Sequence, residues 1–318
     1  MKHSATISSA GAGPATSLSA DKLRQARAAQ SMLAAMLIIG ITDNAVPLMA
    51  EHIGLGQFYL LRTLIALPLL LLMARAGLGG LRPVKLGAVT LRALLLAVSM
   101  VFYFSAVALM PLAQALAGLF TSPIIIVLVS VLFLQMRIGL VRVGAVVAGF
   151  VGVLLVLQPD PGAFDALILL PVAGGVFYAL GSIATGRLCQ GESTVSMLLV
   201  YLLVQGVMGA AMLLGLQLWP QEVAAGADGF LTRGWVWDLW QIAHLILLQG
   251  FAAVGGVFLI TRAYQLGEAS FVAVFEYSVM IVGPGVAWLL YGQVLNGWQI
   301  LGIGLIMAAG ITISRRSS

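Results

Sequence analysis

The chain has 318 residues, of which 61% are hydrophobic and 8% are charged, and its formal net charge is +5. A soluble domain has about 45–50% apolar and about 25% charged residues, so a water-soluble fold is excluded. The single cysteine excludes an internal disulfide framework, and three histidines are too few ligands for a structural zinc site, so neither a metal nor a cofactor is predicted.

The first segment, residues 1–30, is rich in Ser, Ala and Gly and carries a basic run from Lys22 to Arg27. Such a composition buries too little apolar surface to fold independently. We therefore predict a flexible cytoplasmic tail over these residues, followed directly by the first membrane span.

Ten apolar runs of helical length follow this tail. A backbone in lipid must satisfy its hydrogen bonds internally, and these runs lack the alternating polarity of barrel strands, so each is predicted as a transmembrane helix. The predicted fold class is therefore an all-α integral membrane protein with ten spans. The runs lie at approximately 32–50, 57–75, 87–109, 112–135, 139–157, 166–187, 194–219, 239–265, 269–292 and 295–314.

The basic residues are distributed unevenly between the two sides of the membrane. With the amino terminus in the cytoplasm, fourteen of the sixteen Lys and Arg fall on the cytoplasmic side, Arg92 among them. Only Arg233 falls outside, and Arg62 lies within a span. This asymmetry follows the positive-inside rule, so both termini are predicted to be cytoplasmic in a multi-pass protein of the cell inner (plasma) membrane.

An internal repeat links the two halves of the chain. Residues 105–138 align without gaps to residues 261–294, with five identical positions in 34 and the same order of helix end, turn, small-residue stretch and proline-bearing helix. The repeat divides the chain into five-helix units at 31–160 and 161–318. Because five is odd, the second unit crosses the membrane in the opposite orientation, which is the inverted-repeat plan of secondary transporters.

Three spans carry the motifs of a known family. The second reads FYLLRTLIALPLLLL, the third and fourth contain FYFSAVALMPLAQALAGLFTSPIIIVLVSVLFL, and the ninth contains FVAVFEYSVMIVGPGVAWLLYGQ. Over about residues 32–314 the chain resembles the EamA-type, ten-helix members of the drug/metabolite transporter superfamily. Its ninth span is similar to that of a subgroup of S-adenosylmethionine and amphipathic-metabolite transporters. The resemblance implies a transporter fold and leaves the cargo open.

Three ionisable residues lie well inside predicted spans, where a charge costs on the order of 2.5–3.5 kcal/mol and marks a functional candidate. Asp43 in the first span and Arg62 in the second lie at similar depth, so they either form a structural ion pair or separate as cargo binds. Glu276 in the ninth span has no evident partner at its depth, which suits a proton carrier or a contact to a cationic group of the cargo.

Further residues complete the predicted substrate site. Asn44, Tyr103, Tyr178 and Tyr277 are polar groups at cavity depth, and each is also able to bond a neighbouring helix. The run Gly283-Pro284-Gly285 is predicted as a hinge, because its proline removes one helical hydrogen bond and the two glycines soften the same turn.

The leading interpretation is a secondary transporter that moves a small organic metabolite by alternating access, the cargo being an amino acid or an S-adenosylmethionine-like zwitterion or cation. One alternative is an exporter of cationic amphipathic drugs, and another is an exporter of organic anions bound through Arg62. A membrane-embedded enzyme is disfavoured, because the sequence has no H-E-x-x-H or G-x-S-x-G motif, and no catalytic residue is assigned.

The predicted partners follow from the same interpretation. They are the small-molecule cargo, the lipid bilayer and protons as candidate coupling ions, with no nucleic acid. Small residues recur every four positions in the fifth and tenth spans, which permits close packing either within the bundle or in a homodimer. These residues are Gly144, Ala148 and Gly152, and Gly304 and Ala308.

Overall fold

The computed structural model of the chain describes residues 14–132, 140–158, 166–267 and 269–315. Within these ranges the secondary structure is helical, which confirms the all-α class. The α-helices are α1 (Pro14–Thr42), α2 (Val46–Ala50), α3 (Leu55–Arg75), α4 (Leu86–Leu109), α5 (Leu112–Leu119), α6 (Ser122–Leu132), α7 (Leu140–Leu157), α8 (Leu169–Arg187), α9 (Thr194–Leu218), α10 (Ala243–Leu266), α11 (Ala269–Glu276), α12 (Val279–Tyr291) and α13 (Gly297–Arg315).

Helix α1 begins earlier than the sequence predicts. It starts at Pro14, so residues 14–30 are helical where a flexible tail was expected, and residues 1–13 lie outside the described part of the chain. No proline or glycine occurs between residues 15 and 39, and Ala, Leu, Gln, Lys and Arg are among the best helix formers. The first membrane helix therefore continues outward through the polar segment.

Seven helical segments of the described chain are long and apolar enough to cross a membrane, so the protein is a multi-pass membrane protein. They coincide with the predicted first to fourth and sixth to eighth spans, and the other three predicted runs contain shorter apolar helices at Val147–Leu157, Val279–Tyr291 and Gly297–Thr312. Ten spans and cytoplasmic termini stay predictions. The seven segments are Lys22–Ala50, Leu55–Arg75, Leu86–Leu109, Leu112–Val129, Ala166–Arg187, Thr194–Leu218 and Trp240–Leu266.

Two predicted spans, the fourth and the ninth, are broken near their middle. A gap of two residues separates α5 from α6, and a gap of two residues separates α11 from α12. At the first break the Thr121 hydroxyl donates to the Gly118 carbonyl at 2.9 Å, and at the second the Ser278 hydroxyl donates to the Phe275 carbonyl at 2.7 Å. Such local side-chain bonds compete with the helical ladder. The two breaks fall within one residue of each other in the alignment of the two halves.

Four helix pairs make the most extensive contacts, and each joins a helix before residue 160 to one after it. The pairs are α1 with α10, α3 with α9, α4 with α8, and α7 with α13. In the last pair a Cβ atom added to Gly152 would lie 2.7 Å from the Gly302 carbonyl oxygen, so the small-residue stripe packs inside the bundle at this point. A Cβ atom added to Gly144 or Gly304 would meet no described atom within 4 Å.

A glycine substitution tests the packing of α3 against α9. A Cβ atom added to Gly209 would lie 2.5 Å from the Gly56 carbonyl oxygen and 2.9 Å from the Tyr59 Cβ atom. We expect Gly209→Ala to destabilise the protein by about 1–3 kcal/mol, because neither backbone has room to withdraw. The control, Gly215→Ala on the same helix, meets no described atom within 4 Å and should leave stability unchanged or raise it by up to about 1 kcal/mol. Melting midpoints in detergent measure both, and equal midpoints for the two variants would contradict the close packing.

Candidate functional site

A central cavity lies among α1, α3, α4, α5, α8, α9 and α10. The volume open to the centre of a water molecule is about 80 Å³, within about 840 Å³ of space between the atoms that includes open solvent, and the wall is mostly apolar. Residues from both halves of the chain contribute polar groups to this wall. These polar side chains are Thr42, Asp43, Arg62, Arg92, Tyr103, Tyr178, Ser182, Thr185, Tyr201, Gln249 and Tyr264.

Asp43 reaches the cavity because the first span is interrupted at this residue. A 3₁₀ turn over Asp43–Ala45 separates α1 from α2, and the Thr42 hydroxyl bonds back to the Ile38 carbonyl at 2.9 Å. The side chain of Asp43 is buried and accepts a hydrogen bond from the Tyr103 hydroxyl at 2.6 Å. Two of the predicted site residues, Asp43 and Tyr103, therefore meet on the cavity wall.

Arg62 lines the same cavity without an ion pair to Asp43. Its guanidinium carbon lies 5.8 Å from the centre of the Phe58 ring and 5.2 Å from that of Phe104, within the range of cation–π contacts. Its Nε and Nη1 atoms have no hydrogen-bond partner among the described residues. Asp43 and Arg62 thus line one cavity without an ion pair between them, and a pair that breaks or re-forms as cargo binds stays a prediction.

Glu276 lies at the end of α11, at the second helix break, and is fully buried. One carboxylate oxygen, Oε1, accepts hydrogen bonds from Tyr178 at 2.8 Å and from Tyr264 at 2.6 Å, and the other, Oε2, has no partner among the described residues. Both tyrosines line the cavity, whereas Glu276 does not and reaches the wall only through its hydrogen bonds to them. Two phenols, from α8 and α10, thus bond to Glu276, which the sequence did not reveal, and its role as a proton carrier or a contact to the cargo stays a prediction.

Arg92 is a cavity residue that the sequence analysis missed. It was counted with the cytoplasmic cations, but it lies inside α4, is 1% exposed and lines the cavity. Its guanidinium donates to the Thr185 hydroxyl at 3.0 Å, the Met197 carbonyl at 3.2 Å and the Thr261 hydroxyl at 2.8 Å. Arg92 thus ties α4 of the first half to α8, α9 and α10 of the second.

Asn44, Tyr277 and the predicted hinge lie beside the cavity, not on its wall. The Asn44 amide donates to the Gly40 carbonyl at 2.7 Å and to the Gly283 carbonyl at 3.2 Å, which joins α1 to α12 next to Pro284. The Tyr277 ring packs 6.2 Å from that of Phe120, between centroids. No group of three or more His, Cys, Asp or Glu side chains in the described ranges is placed to hold a metal ion.

The first half of this site carries a recognisable family signature. Residues 27–158 match the EamA-like transporter family. They are an EamA-family domain. The resemblance to the drug/metabolite transporter superfamily is thereby confirmed over these residues. The EamA-family domain supplies Asp43, Arg62, Arg92 and Tyr103 to the cavity, and Glu276 lies beyond the matched range.

Two curated proteins are similar to this chain over about half of its length. A riboflavin transporter of Vibrio cholerae serotype O1 is 28% identical over 164 residues, which are 51% of this chain and 49% of that protein. An S-adenosylmethionine uptake transporter of Rickettsia bellii is 22% identical over 167 residues, which are 52% of this chain and 51% of that protein. The chain thus spans about half the length of the curated relatives it matches.

A solved crystal structure shares the fold over nearly the whole chain. It superposes with a TM-score of 0.58 at 19% sequence identity and covers 94% of this chain and 99% of that one. The helical arrangement of the EamA-family domain and of the residues after it therefore has an experimental counterpart.

Proposed function

We propose that the chain is a secondary transporter that moves a small organic metabolite across the cell inner membrane by alternating access. The observation that carries the proposal is the central cavity, whose apolar wall holds a few charged and phenolic side chains from both halves of the chain. Cavities of this kind are typical small-molecule sites. The names of the two relatives, both transporters of small metabolites, support the same class.

The pairing of the helices supports two inverted five-helix repeats. If α1, α3, α4 and α7 correspond to α8, α9, α10 and α13, exchanging the halves converts the α1–α10 contact into the α8–α4 contact. The same exchange maps α3–α9 and α7–α13 onto themselves. These are the four most extensive helix contacts in the described chain. A two-fold axis between the halves produces this pattern. With five spans in each half, as the sequence predicts, that axis lies in the membrane plane, and rocking of one repeat against the other is the usual route to alternating access.

Hydrogen bonds join the two halves at both ends of the bundle. At one end Glu192 accepts from the backbone N–H of Val84 at 2.9 Å. At the other end Arg233 donates to the Ala50 carbonyl at 2.5 Å. In the proposed alternating access, the bonds at the Glu192 end break while those at the Arg233 end stay formed, and the reverse happens in the other half of the cycle.

We propose a cargo that combines an apolar or aromatic part with at least one charged group, as an amino acid or an S-adenosylmethionine-like zwitterion does. Asp43 and Glu276 suit a cationic group of the cargo and are also the candidate proton carriers. Arg62 and Arg92 suit an acidic group. An organic anion is the second candidate cargo, favoured by the absence of an ion pair between Asp43 and Arg62.

Proteoliposomes with the purified protein test this proposal. The assay is counterflow of labelled amino acids, S-adenosylmethionine, riboflavin and an aromatic carboxylate, compared with protein-free liposomes. We expect Asp43→Asn to slow the transported solute about 10-fold or more, because a hydrogen bond to a charged group is worth about 1.5–3 kcal/mol. Asp238→Asn, the same change at an exposed residue, is the control and should transport at the wild-type rate. Counterflow of no solute by folded protein, or equal rates for Asp43→Asn and wild type, would contradict the proposal.

A further inference from the structure

A cluster of buried polar atoms without hydrogen-bond partners lies where α3 packs against α9. The atoms are the Tyr59 hydroxyl, Nε and Nη1 of Arg62, and both amide atoms of Gln205. Tyr59 and Gln205 are fully buried, and Arg62 is 6% exposed. Because more than nine in ten buried polar groups have a partner, five such atoms together on the described helices point to a ligand.

These three side chains come together because two helices approach closely. The Thr63 hydroxyl donates to the Leu202 carbonyl at 2.9 Å, which fixes the register of α3 against α9. Tyr59 and Arg62 are three residues apart and share one face of α3. The Gln205 amide lies beside the Tyr59 hydroxyl, although the two form no hydrogen bond of normal geometry.

The chemistry of the cluster favours an anion. The guanidinium, the phenol and the amide nitrogen are donors, and only the Gln205 Oε1 atom is an acceptor alone. Asp43 lies within electrostatic reach of Arg62 but forms no ion pair with it, so the Arg62 guanidinium keeps donors free for a further acidic group. Donors that surround a buried positive charge form short, strong hydrogen bonds with a carboxylate or another anion.

We propose that Arg62, Tyr59 and Gln205 form a subsite for an acidic group, either a carboxylate of the cargo or a free halide ion. The inference rests on the proposed function, since Arg62 is the member of the cluster that lines the cavity and admits the group from there. The apolar part of the cargo then extends along the cavity wall, beginning at Phe104. The subsite makes the transporter selective for solutes that carry an acid.

The test measures melting midpoints of the full-length protein in detergent with three probes. The probes are phenylacetate, its neutral analogue phenylacetamide, and chloride replacing gluconate at constant ionic strength. We expect phenylacetate to raise the midpoint and phenylacetamide to leave it unchanged. Arg62→Gln should weaken the apparent affinity for phenylacetate about 10-fold or more, and Tyr59→Phe should weaken it by a smaller factor of about 2–10. Arg75→Gln, the same charge change at an exposed residue of α3, is the control.

The results separate the two sources of the anion. Phenylacetate binding in chloride-free buffer assigns the subsite to the cargo, and an Arg62-dependent chloride effect that phenylacetate does not share assigns it to a free halide. Equal responses of wild type, Arg62→Gln and Tyr59→Phe overturn the inference, as do equal shifts with acid and amide or no shift with either anion. If Arg62→Gln does not fold, Tyr59→Phe and Gln205→Leu, which keep the charge, decide the question.

Transport measured on the same variants distinguishes this inference from the proposed function. Counterflow that persists without any anion dependence refutes the subsite and leaves the transporter. Anion binding by a protein that transports no solute refutes the proposed function and leaves the subsite.

Discussion

Glu276→Gln is expected to reduce cargo accumulation driven by a pH gradient by about 10–100-fold and to leave the fold intact. Tyr178 and Tyr264 both donate to the same carboxylate oxygen, whereas Oε2 accepts no hydrogen bond from a described residue. The carbonyl oxygen of glutamine can accept both phenol bonds, and its amide nitrogen takes the position of Oε2. The packing around residue 276 is therefore preserved, and the negative charge is what the substitution removes.

Two assays of Glu276→Gln separate the possible roles of the carboxylate. If Glu276 carries a proton, the variant keeps cargo–cargo exchange in proteoliposomes but loses accumulation driven by a pH gradient. If Glu276 attracts a cationic group of the cargo, exchange and accumulation fall together. Glu222→Gln, the same change at an exposed residue, should leave both unchanged. Wild-type exchange and wild-type accumulation by Glu276→Gln would contradict both roles.

Much of the fold is predictable from the sequence because lipid leaves the backbone few alternatives. Seven of the ten apolar runs correspond to segments of the described chain that are long and apolar enough to cross a membrane, and the predicted ends agree closely with those of α3, α4 and α9. The structure has a helix over residues 14–30, where a flexible tail was predicted. The polar composition indicates that this segment does not fold alone, but a helix already formed in the membrane span can extend into it. The two helix breaks were not predicted, since a lone Thr or Ser in an apolar run gives no sign of which carbonyl it will bond.

Depth within a span indicates some of the cavity residues but none of their contacts. Four of the seven predicted site residues line the cavity, and the other three lie beside or behind its wall; their roles in binding stay predictions. The four are Asp43, Arg62, Tyr103 and Tyr178. Arg92 was missed because an arginine near the cytoplasmic end of a span already satisfies the positive-inside rule. It nevertheless lies six residues into α4, roughly 9 Å from the helix end, which is about the depth of Arg62 in α3. The phenol bonds to Glu276 could not be read from the sequence, because they depend on which helices pack together.

Arg92→Lys is expected to lower the melting midpoint by about 5–10 °C, since a 318-residue chain loses roughly 1.5 °C per kcal/mol. The guanidinium of Arg92 reaches acceptors on three helices, Thr185, Met197 and Thr261. The three N–H donors of a lysine sit on one nitrogen atom, whereas the guanidinium spreads its donors over three nitrogens. A lysine therefore cannot reach the same three acceptors. Each lost charged hydrogen bond costs about 1.5–3 kcal/mol, and the buried charge remains.

Arg92→Met provides the comparison that identifies the cause. Methionine removes the three hydrogen bonds together with the buried charge, so its midpoint should fall less than that of Arg92→Lys. Arg262→Lys, at an exposed arginine next to Thr261, is the control and should melt like wild type. A wild-type midpoint and wild-type transport for Arg92→Lys would contradict the three-helix role and leave Arg92 as a positive charge on the cavity wall. The Arg92 guanidinium joins the two halves, which separate in the proposed alternating-access cycle. We therefore expect both Arg92 variants to transport more slowly even where they fold, because each weakens the state in which the halves are closed around Arg92.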